Sequence, residues 1–312
     1  MRVFVTGATG FIGSAVVKEL ICAGHQVLGL ARSDAGAKSL SAVGAEVHRG
    51  DLEDLGSLRS GAAKSDGVIH TAFDHDFTKF AENCEMDRRA IEALGTVLEG
   101  SDRPFLVTSG LALLTPPNHI GTEDDEPVPP STSYPRVSEA TAASLAARGV
   151  RASVVRLPPS VHGDSDPGFV LKSGIPVAAG LVTPLIAIAR EKGVSAYLAD
   201  GLNRWPAVHR LDAARLYRLV LEKSSTGARY HGVADEGVPL RDIAAVIGRR
   251  LNIPVVAKSP EEAADHFGDF TVFASFNVPA SGKRTQEMLG WQPHQPGLIT
   301  DIDRPEYFET GK

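Results

Sequence analysis

Apolar residues in the first half of the chain fall in short, β-branched runs separated by stretches with helical spacing. Residues 2–6, 26–30, 45–48, 67–70, 105–108 and 152–157 read as six strands. Between them, residues 11–23 place Ile12, Val16 and Leu20 on one helix face, and 35–43, 55–63, 77–99 and 138–147 also read as helices. Strands alternating with helices predict a doubly wound parallel α/β sheet covered on both faces. The pattern weakens after Pro158. Pro158-Pro159, Pro167-Gly168 and an uncharged stretch broken by Gly174, Pro176, Gly180 and Pro184 predict loops around a small, less regular lobe. Helical spacing returns at 211–223, 240–251, 260–267 and 283–289. Residues 1–160 are therefore expected to form the sheet domain, with about 194–235 returning to it, and 161–312 mainly a C-terminal lobe. The acidic, proline-containing piece 123–130 reads as a solvated surface loop near a mouth.

Composition narrows the class. The 312 residues are 43% hydrophobic. A chain of that length buries about three quarters of its unfolded surface, so its core needs no disulfide or metal. Cys22 and Cys84 are the two cysteines and make neither a disulfide framework nor a thiolate metal site. The net charge of −6 argues against nonspecific nucleic-acid binding, which needs a basic face. The uncharged stretches 104–122 and 173–189 are interrupted by glycine and proline, whereas a spanning helix wants about 20 mostly apolar residues. No signal-peptide core is evident. A cytoplasmic protein with neither a membrane nor a nucleic-acid partner is expected.

The chemistry begins at Thr6-Gly7-Ala8-Thr9-Gly10-Phe11-Ile12-Gly13, which follows the first strand and opens the first helix. Gly7 allows a tight turn, Gly10 lets the backbone approach a pyrophosphate, and Gly13 lets the helix pack against the sheet. The helix N-terminus then offers free N–H groups to the phosphates. In that context the glycines predict a dinucleotide site. The second strand ends Leu30-Ala31-Arg32-Ser33. An NAD site commonly places an acid here for the ribose 2′-hydroxyl. Ala31 stands in that place, and Arg32 can pair with a 2′-phosphate through its planar fork. NADP(H) is therefore the expected cofactor, held by Arg32 and Ser33.

With these motifs the chain resembles the extended, epimerase-like branch of the short-chain dehydrogenase/reductase superfamily. The glycine motif has that branch's TGxxGxxG form. Gly50-Asp51-Leu52 is similar to its adenine contact, and His70-Thr71-Ala72 to its HxA. Thr108-Ser109-Gly110 ends the fifth strand, where the family keeps a catalytic Ser or Thr. Arg156-Leu157-Pro158-Pro159 with Val161-His162-Gly163 resembles RPxxVYG beside the nicotinamide. Trp205–His209 with Asp212 resembles W-x-x-V-H-x-x-D, and 283–291 the closing helix ending in LGW. The resemblance implies a Rossmann-type fold with a small C-terminal substrate lobe. It implies a cofactor site of Gly7, Thr9, Gly10, Phe11, Ile12, Gly13, Arg32, Ser33, Asp51, Leu52, Thr71, Ala72, Phe73, Thr108 and Pro158. Ser109 and Tyr134 become the catalytic pair, and His162, Trp205 and His209 face the substrate.

One departure bears on the reaction. The family's YxxxK is broken: Tyr134-Pro135-Arg136-Val137-Ser138 puts serine where lysine is usual. In the family that lysine lowers the tyrosine pKa and holds the nicotinamide ribose. A free tyrosine titrates near pH 10. Arg136 is offset by two residues, a spacing that shares no helix face. Three outcomes stay open: Tyr134 still donates the proton, another group or a water does, or the chain is a non-catalytic NADP-binding redox sensor. The leading expectation is reversible NADPH-dependent reduction of a ketone or aldehyde. A cofactor-recycling epimerase or dehydratase is the alternative. His70, Asp74, His75 and Asp76 have metal-ligand types without a common face, so no metal is expected. No Gly-x-Ser-x-Gly elbow points to a serine hydrolase. Asp87 stands where related enzymes often carry a ribose-facing asparagine. The partner is a small carbonyl or alcohol substrate. A monomer or a homodimer through the helices 77–99 and 138–147 is expected.

Overall fold

The computed structural model describes residues 1–111, 119–132, 134–164, 169–170, 176–177 and 180–309. Pro116, Pro117, Pro167, Gly168 and Gly174, which the sequence offers as breakers, lie outside the described residues. The first half alternates β1 (Arg2–Thr6), α1 (Phe11–Cys22), β2 (Gln26–Ala31), α2 (Asp34–Ala42), β3 (Glu46–Arg49), α3 (Leu55–Ala63), β4 (Gly67–His70), α4 (Phe80–Thr96), β5 (Phe105–Gly110), α5 (Ser138–Ala147) and β6 (Ala152–Leu157). Next come β7 (Ser160–His162), the antiparallel pair β8 (Phe169–Val170) and β9 (Pro176–Val177), α6 (Val182–Lys192), β10 (Ser195–Leu198), β11 (Arg204–His209), α7 (Arg210–Lys223) and β12 (Arg229–His231). The remainder is β13 (Asp235–Pro239), α8 (Leu240–Leu251), β14 (Val255–Lys258), α9 (Pro260–Phe267), α10 (Thr271–Ala274), α11 (Lys283–Leu289) and α12 (Leu298–Ile302).

Seven parallel strands form the main sheet in the order β12-β6-β5-β4-β1-β2-β3, as the alternation predicts. One face packs Val3, Val5 and Ile69 against Val16 and Leu20 of α1 and Leu216 and Tyr217 of α7. The other packs Phe4 and Val68 against Leu58, Ile91, Leu94 and Leu145. Each such side chain contributes about 1.5–3 kcal/mol when fully buried. A second core lies in the C-terminal lobe around Leu185, Ile186, Trp205, Ile243, Phe267 and Phe270. The three-stranded sheet β13-β11-β7 spans the two cores. Val161 and Val208 face the first, and Trp205 and Ala207 face the second.

Two elements differ from the hydrophobic pattern by more than one residue. The predicted helix 77–99 is a 3-10 turn at Phe77–Lys79 followed by α4. The Asp76 carboxylate accepts the Thr78 N–H, and Lys79 leaves helical geometry at φ −118° before α4 begins. β5 runs two residues further than expected, because it stays paired with β6 as far as Gly110 against Leu157.

Candidate active site

The strand order reverses between β1 and β4, which opens a crevice beyond their carboxyl ends. The β1–α1 turn fills it. Gly7 has φ +66°, and a Cβ there would stand 2.7 Å from Thr71 Oγ1 and 2.8 Å from the Ala72 nitrogen. A Cβ on Gly13 would stand 2.0 Å from the Gly7 oxygen. The Gly10 N–H closes the turn on that oxygen at 2.9 Å. α1 then starts with neither a side-chain cap nor an acid in its first turn. Its first N–H groups have no intrahelical partner. Backbone close to β4 and uncapped N–H groups fit a dinucleotide pyrophosphate. Thr71 is tied down by its hydroxyl, which donates to the Thr6 carbonyl at 2.8 Å.

Beyond β2, Ala31 leaves no carboxylate and Arg32 is exposed. The Ser33 hydroxyl caps α2 by accepting the Gly36 N–H at 3.1 Å. Arg49, at the end of β3, donates to the Ser33 carbonyl at 2.7 Å and pairs with Asp34. Arg49 is a second cation at this corner that sequence reading missed; its place at the end of the adjacent strand was the available signal. Asp51 Oδ1 accepts the N–H groups of Glu53 and Asp54, both at 2.9 Å, and so shapes the loop after β3. Leu52 beside it is half-buried.

A buried polar chain connects β1 to the start of α5. Thr6 Oγ1 lies 2.7 Å from His70 Nδ1, and His70 Nε2 lies 3.0 Å from Asp87 Oδ1. The Ser138 hydroxyl donates to Asp87 Oδ2 at 2.5 Å and accepts from Arg136 Nε at 3.0 Å. A carboxylate at Nε2 places the imidazole proton there, so Nδ1 accepts from Thr6. Burial alone would raise the Asp87 carboxyl; the His70 and Ser138 hydrogen bonds and the Arg136 charge outweigh it and hold it below its ordinary value. Asp87 thus anchors two strands and a helix.

Arg136 corrects one expectation. It precedes α5, so the helix-face spacing does not govern it. Its guanidinium folds back to Ser138, which occupies the place of the family's lysine, and lies 4.3 Å over the Phe73 ring. It reaches the Thr108 carbonyl at 3.4 Å. Ser109 at the end of β5, Tyr134 and Arg136 line one cleft of about 200 Å³, walled by Val128, Pro129 and Val137. Burial raises the Tyr134 phenol above its ordinary value, and the Arg136 charge acts in the opposite sense. Thr108 points away from this cleft's chemistry: its hydroxyl lies 2.7 Å from both the His70 carbonyl and Tyr217 Oη. Pro158 is buried after β6.

His162, Trp205 and His209 lie together on the β7–β11 pair, but not around that cleft. His162 Nδ1 is 2.8 Å from Asp301 Oδ2, which also accepts from Tyr307 Oη at 2.5 Å. The His162 and His209 rings meet edge to face at 5.3 Å. His209 Nδ1 caps α7 through the Leu211 N–H at 3.2 Å, and burial followed by the His162 charge lowers its pKa. Trp205 is 0% exposed, in the lobe core beside Phe270. Sequence reasoning did not single out Asp301, 139 residues from His162.

The acidic piece is an exposed loop at Asp124, Glu126 and 128–130, as expected, and its prolines line the cleft, but its first residue is not solvated. Glu123 is buried and accepts from the Thr285 N–H at 2.9 Å and its hydroxyl at 2.6 Å. The Asp125 carbonyl accepts from Arg156 at 2.9 Å and Arg229 at 2.7 Å. Arg156, 0% exposed, grips Glu139 bidentately at 2.7–3.1 Å. These bonds seal the open end of β6 and β12. Among the described residues no cluster of ligands could hold a metal ion, and no helix is long and apolar enough to cross a membrane.

Residues 3–233 match the NAD dependent epimerase/dehydratase family. An uncharacterized protein of Schizosaccharomyces pombe is 50% identical over 99% of this chain and 100% of its own length. The sterol-4-alpha-carboxylate 3-dehydrogenase (decarboxylating) of Dictyostelium discoideum is 26% identical over 77% of this chain and 73% of its own. Among solved structures, a dTDP-glucose 4,6-dehydratase of Streptomyces venezuelae with NAD bound is 19% identical with a TM-score of 0.75, covering 99% of this chain and 98% of that one. That last likeness concerns the fold.

Proposed function

Since the chain belongs to the NAD dependent epimerase/dehydratase family, we propose that it is an NADP(H)-dependent reductase of a ketone or aldehyde, reversible as alcohol oxidation. The observation that carries this reading is the convergence of Ser109, Tyr134 and Arg136 on one cleft at the carboxyl end of β5. β5 lies next to β4, whose carboxyl end borders the dinucleotide crevice.

When bound, the nicotinamide supplies the hydride for reduction and accepts it for oxidation. The β1–α1 turn holds the pyrophosphate. Arg32 meets the 2′-phosphate, with Arg49 close behind; the nearest acid, Asp34, is tied to Arg49. Ala31 offers no carboxylate to repel that phosphate. Tyr134, its phenol raised by burial, stays protonated at neutral pH and donates to the carbonyl oxygen. Arg136 stands in for the missing lysine, stabilising negative charge as it develops on that oxygen. Ser109 orients the carbonyl. Much of the acceleration then comes from holding carbonyl and donor together.

The test is NADPH consumption with a panel of aryl ketones, keto esters and aldehydes, run with Tyr134→Phe and Arg136→Ala. Turnover that prefers NADPH over NADH and falls at least about 100-fold in Tyr134→Phe is expected, the usual reach of a positioned general acid. No consumption by any carbonyl compound refutes the reductase. Unchanged turnover in Tyr134→Phe removes that residue as the donor. The family's name favours a second reading, a cofactor-recycling epimerase or dehydratase. That enzyme would co-purify with its cofactor and show no net turnover.

A further inference from the structure

We propose that the cleft at Ser109, Tyr134 and Arg136 takes a small, uncharged carbonyl compound whose remaining bulk is one apolar ring, and that it rejects nucleotide sugars and 2-oxo acids. The proposal rests on the reductase reading above and names the substrate class for that same site. Size sets the first limit. The cleft holds about 200 Å³. Sites for drug-sized molecules run from about 300 to 1,000 Å³. There is room here for one ring and its carbonyl group, and none for a sugar carrying a nucleoside diphosphate.

The wall sets the polarity. Residues 127–130 read Pro-Val-Pro-Pro and line one side, and Val137 and Ala140 line the cleft from the start of α5. Val128 is 36% exposed, an apolar side chain with no protein surface packed over it. Proline fixes its own φ, and a closed turn ties the wall to Tyr134. The Ser131 N–H donates to the Tyr134 carbonyl at 2.9 Å, and the Tyr134 N–H to the Ser131 carbonyl at 3.1 Å. The Tyr134 ring also rests 6.1 Å from Phe80. A wall already in place loses little freedom on binding, so a few apolar contacts suffice to hold a ligand.

Charge and hydrogen bonding narrow the ligand further. Among the described residues the charged side chains lining the cleft are Arg136 and Glu139, one of each sign. Glu139 is committed to Arg156 and the Ser138 hydroxyl to Asp87. Arg136 gives Nε to Ser138 and Nη2 to the Thr108 carbonyl, which leaves Nη1. The lining thus carries no net charge with which to hold a carboxylate or phosphate, and an uncompensated buried anion is costly. The Ser109 and Tyr134 hydroxyls suffice for the two lone pairs of one carbonyl oxygen, with Arg136 Nη1 beside them. A sugar would bring several hydroxyls against valine and proline, each losing water without a partner. An apolar ring against Val128, Pro129 and Val137 gains by leaving water.

The experiment has a turnover arm and a binding arm, run on the wild type, Val128→Trp and Val128→Ser, with thermal melts of each. NADPH oxidation is followed with acetophenone, ethyl benzoylformate, benzoylformate and a linear aliphatic ketone. Calorimetry on the NADPH-loaded protein compares benzamide, an unreactive ring with a carbonyl group, with benzoate and with UDP-glucose. Ethyl benzoylformate should exceed benzoylformate by about 100-fold in kcat/KM, and benzamide should bind in preference to benzoate by a similar factor. UDP-glucose should not displace benzamide. Val128→Trp fills the cleft and should raise KM for acetophenone about tenfold or more, with NADPH affinity within about twofold; Val128→Ser should raise KM by a smaller factor. Benzoate or UDP-glucose bound as tightly as benzamide overturns the proposal, as does benzoylformate reduced as well as its ester, or a KM indifferent to both Val128 variants. Turnover of the linear ketone alone keeps the reductase and overturns the ring. Benzamide bound in preference to benzoate, with no carbonyl compound consuming NADPH, keeps the ligand class and refutes the reductase.

Discussion

Replacing Asp87 with asparagine isolates the charge at the centre of the buried chain from its shape. The carboxylate accepts from His70 at 3.0 Å and from Ser138 at 2.5 Å, and it is almost wholly enclosed. Asparagine keeps the outline but has one acceptor and one donor group. Both neighbours can still be satisfied if the imidazole changes tautomer, so that Nε2 accepts and Nδ1 donates to Thr6. What is lost is charge assistance in two bonds. Bonds to a charged group contribute about 1.5–3 kcal/mol and neutral ones about 0.5–1.5, so Asp87→Asn should cost about 2 kcal/mol. Asp87→Ala leaves two buried donors without an acceptor, at about 1–3 kcal/mol each, and should cost about 4 kcal/mol. Urea unfolding at pH 7.5 measures both. The carboxyl lies below its ordinary value near 3.8 in the folded chain. Its contribution is therefore complete above 3.8 and is lost as pH falls through the lower folded value, a loss Asp87→Asn should lack. Asparagine costing less than about 0.5 kcal/mol, or as much as alanine, would refute this account of the chain.

Gly13→Ala should lower dinucleotide affinity at least about tenfold by calorimetry, because its Cβ would meet the Gly7 carbonyl at 2.0 Å and force the phosphate turn to move. Glu139→Gln should cost about 3 kcal/mol in urea unfolding, because it leaves the buried Arg156 without its counter-charge. The pair Glu139→Leu with Arg156→Met should be less damaging than the single change. Burial lowers His231 from 6.5. The unfolded chain therefore takes up this proton first, and stability should decline as pH drops below 6.5; His231→Gln should flatten that decline in a pH series of unfolding midpoints.

The glycine turn and the six-strand alternation are local in the chain and could be read from spacing alone, and the missing lysine is local too but shows only against the family resemblance. What sequence concealed depends on partners far apart. Glu123 looks like part of a solvated acidic run until Thr285, 162 residues away, supplies its donors. Asp301 is unremarkable until the lobe carries it to His162. Helical spacing is the wrong test for Arg136: the helix starts at Ser138, as the pattern predicts, and residue 136 lies ahead of it, where only the fold shows that its guanidinium turns back to Ser138. Trp205 carries a motif position and also an anchor of the lobe core, and residue type alone does not separate the two. Periodicity reports which face of an element is apolar; it is silent on which buried polar groups will find each other.

The seventh strand bears on how the chain is made. β12 is only Arg229–His231, yet it covers the outer edge of β6, pairing Val154, Val155 and Arg156. During synthesis from the N-terminus, β6 is complete by Leu157, and its edge then waits for more than 70 further residues to be added. An open strand edge invites pairing with another chain. Arg156, the sole charged residue among the three, is neutralised by Glu139 as soon as α5 docks. The nascent protein thus passes through a stage with a nearly finished sheet whose β6 border, besides the β3 edge at its other side, is still unprotected. A truncation ending between β6 and β12 would be held at that stage, so fragments of this protein should aggregate where the whole chain does not.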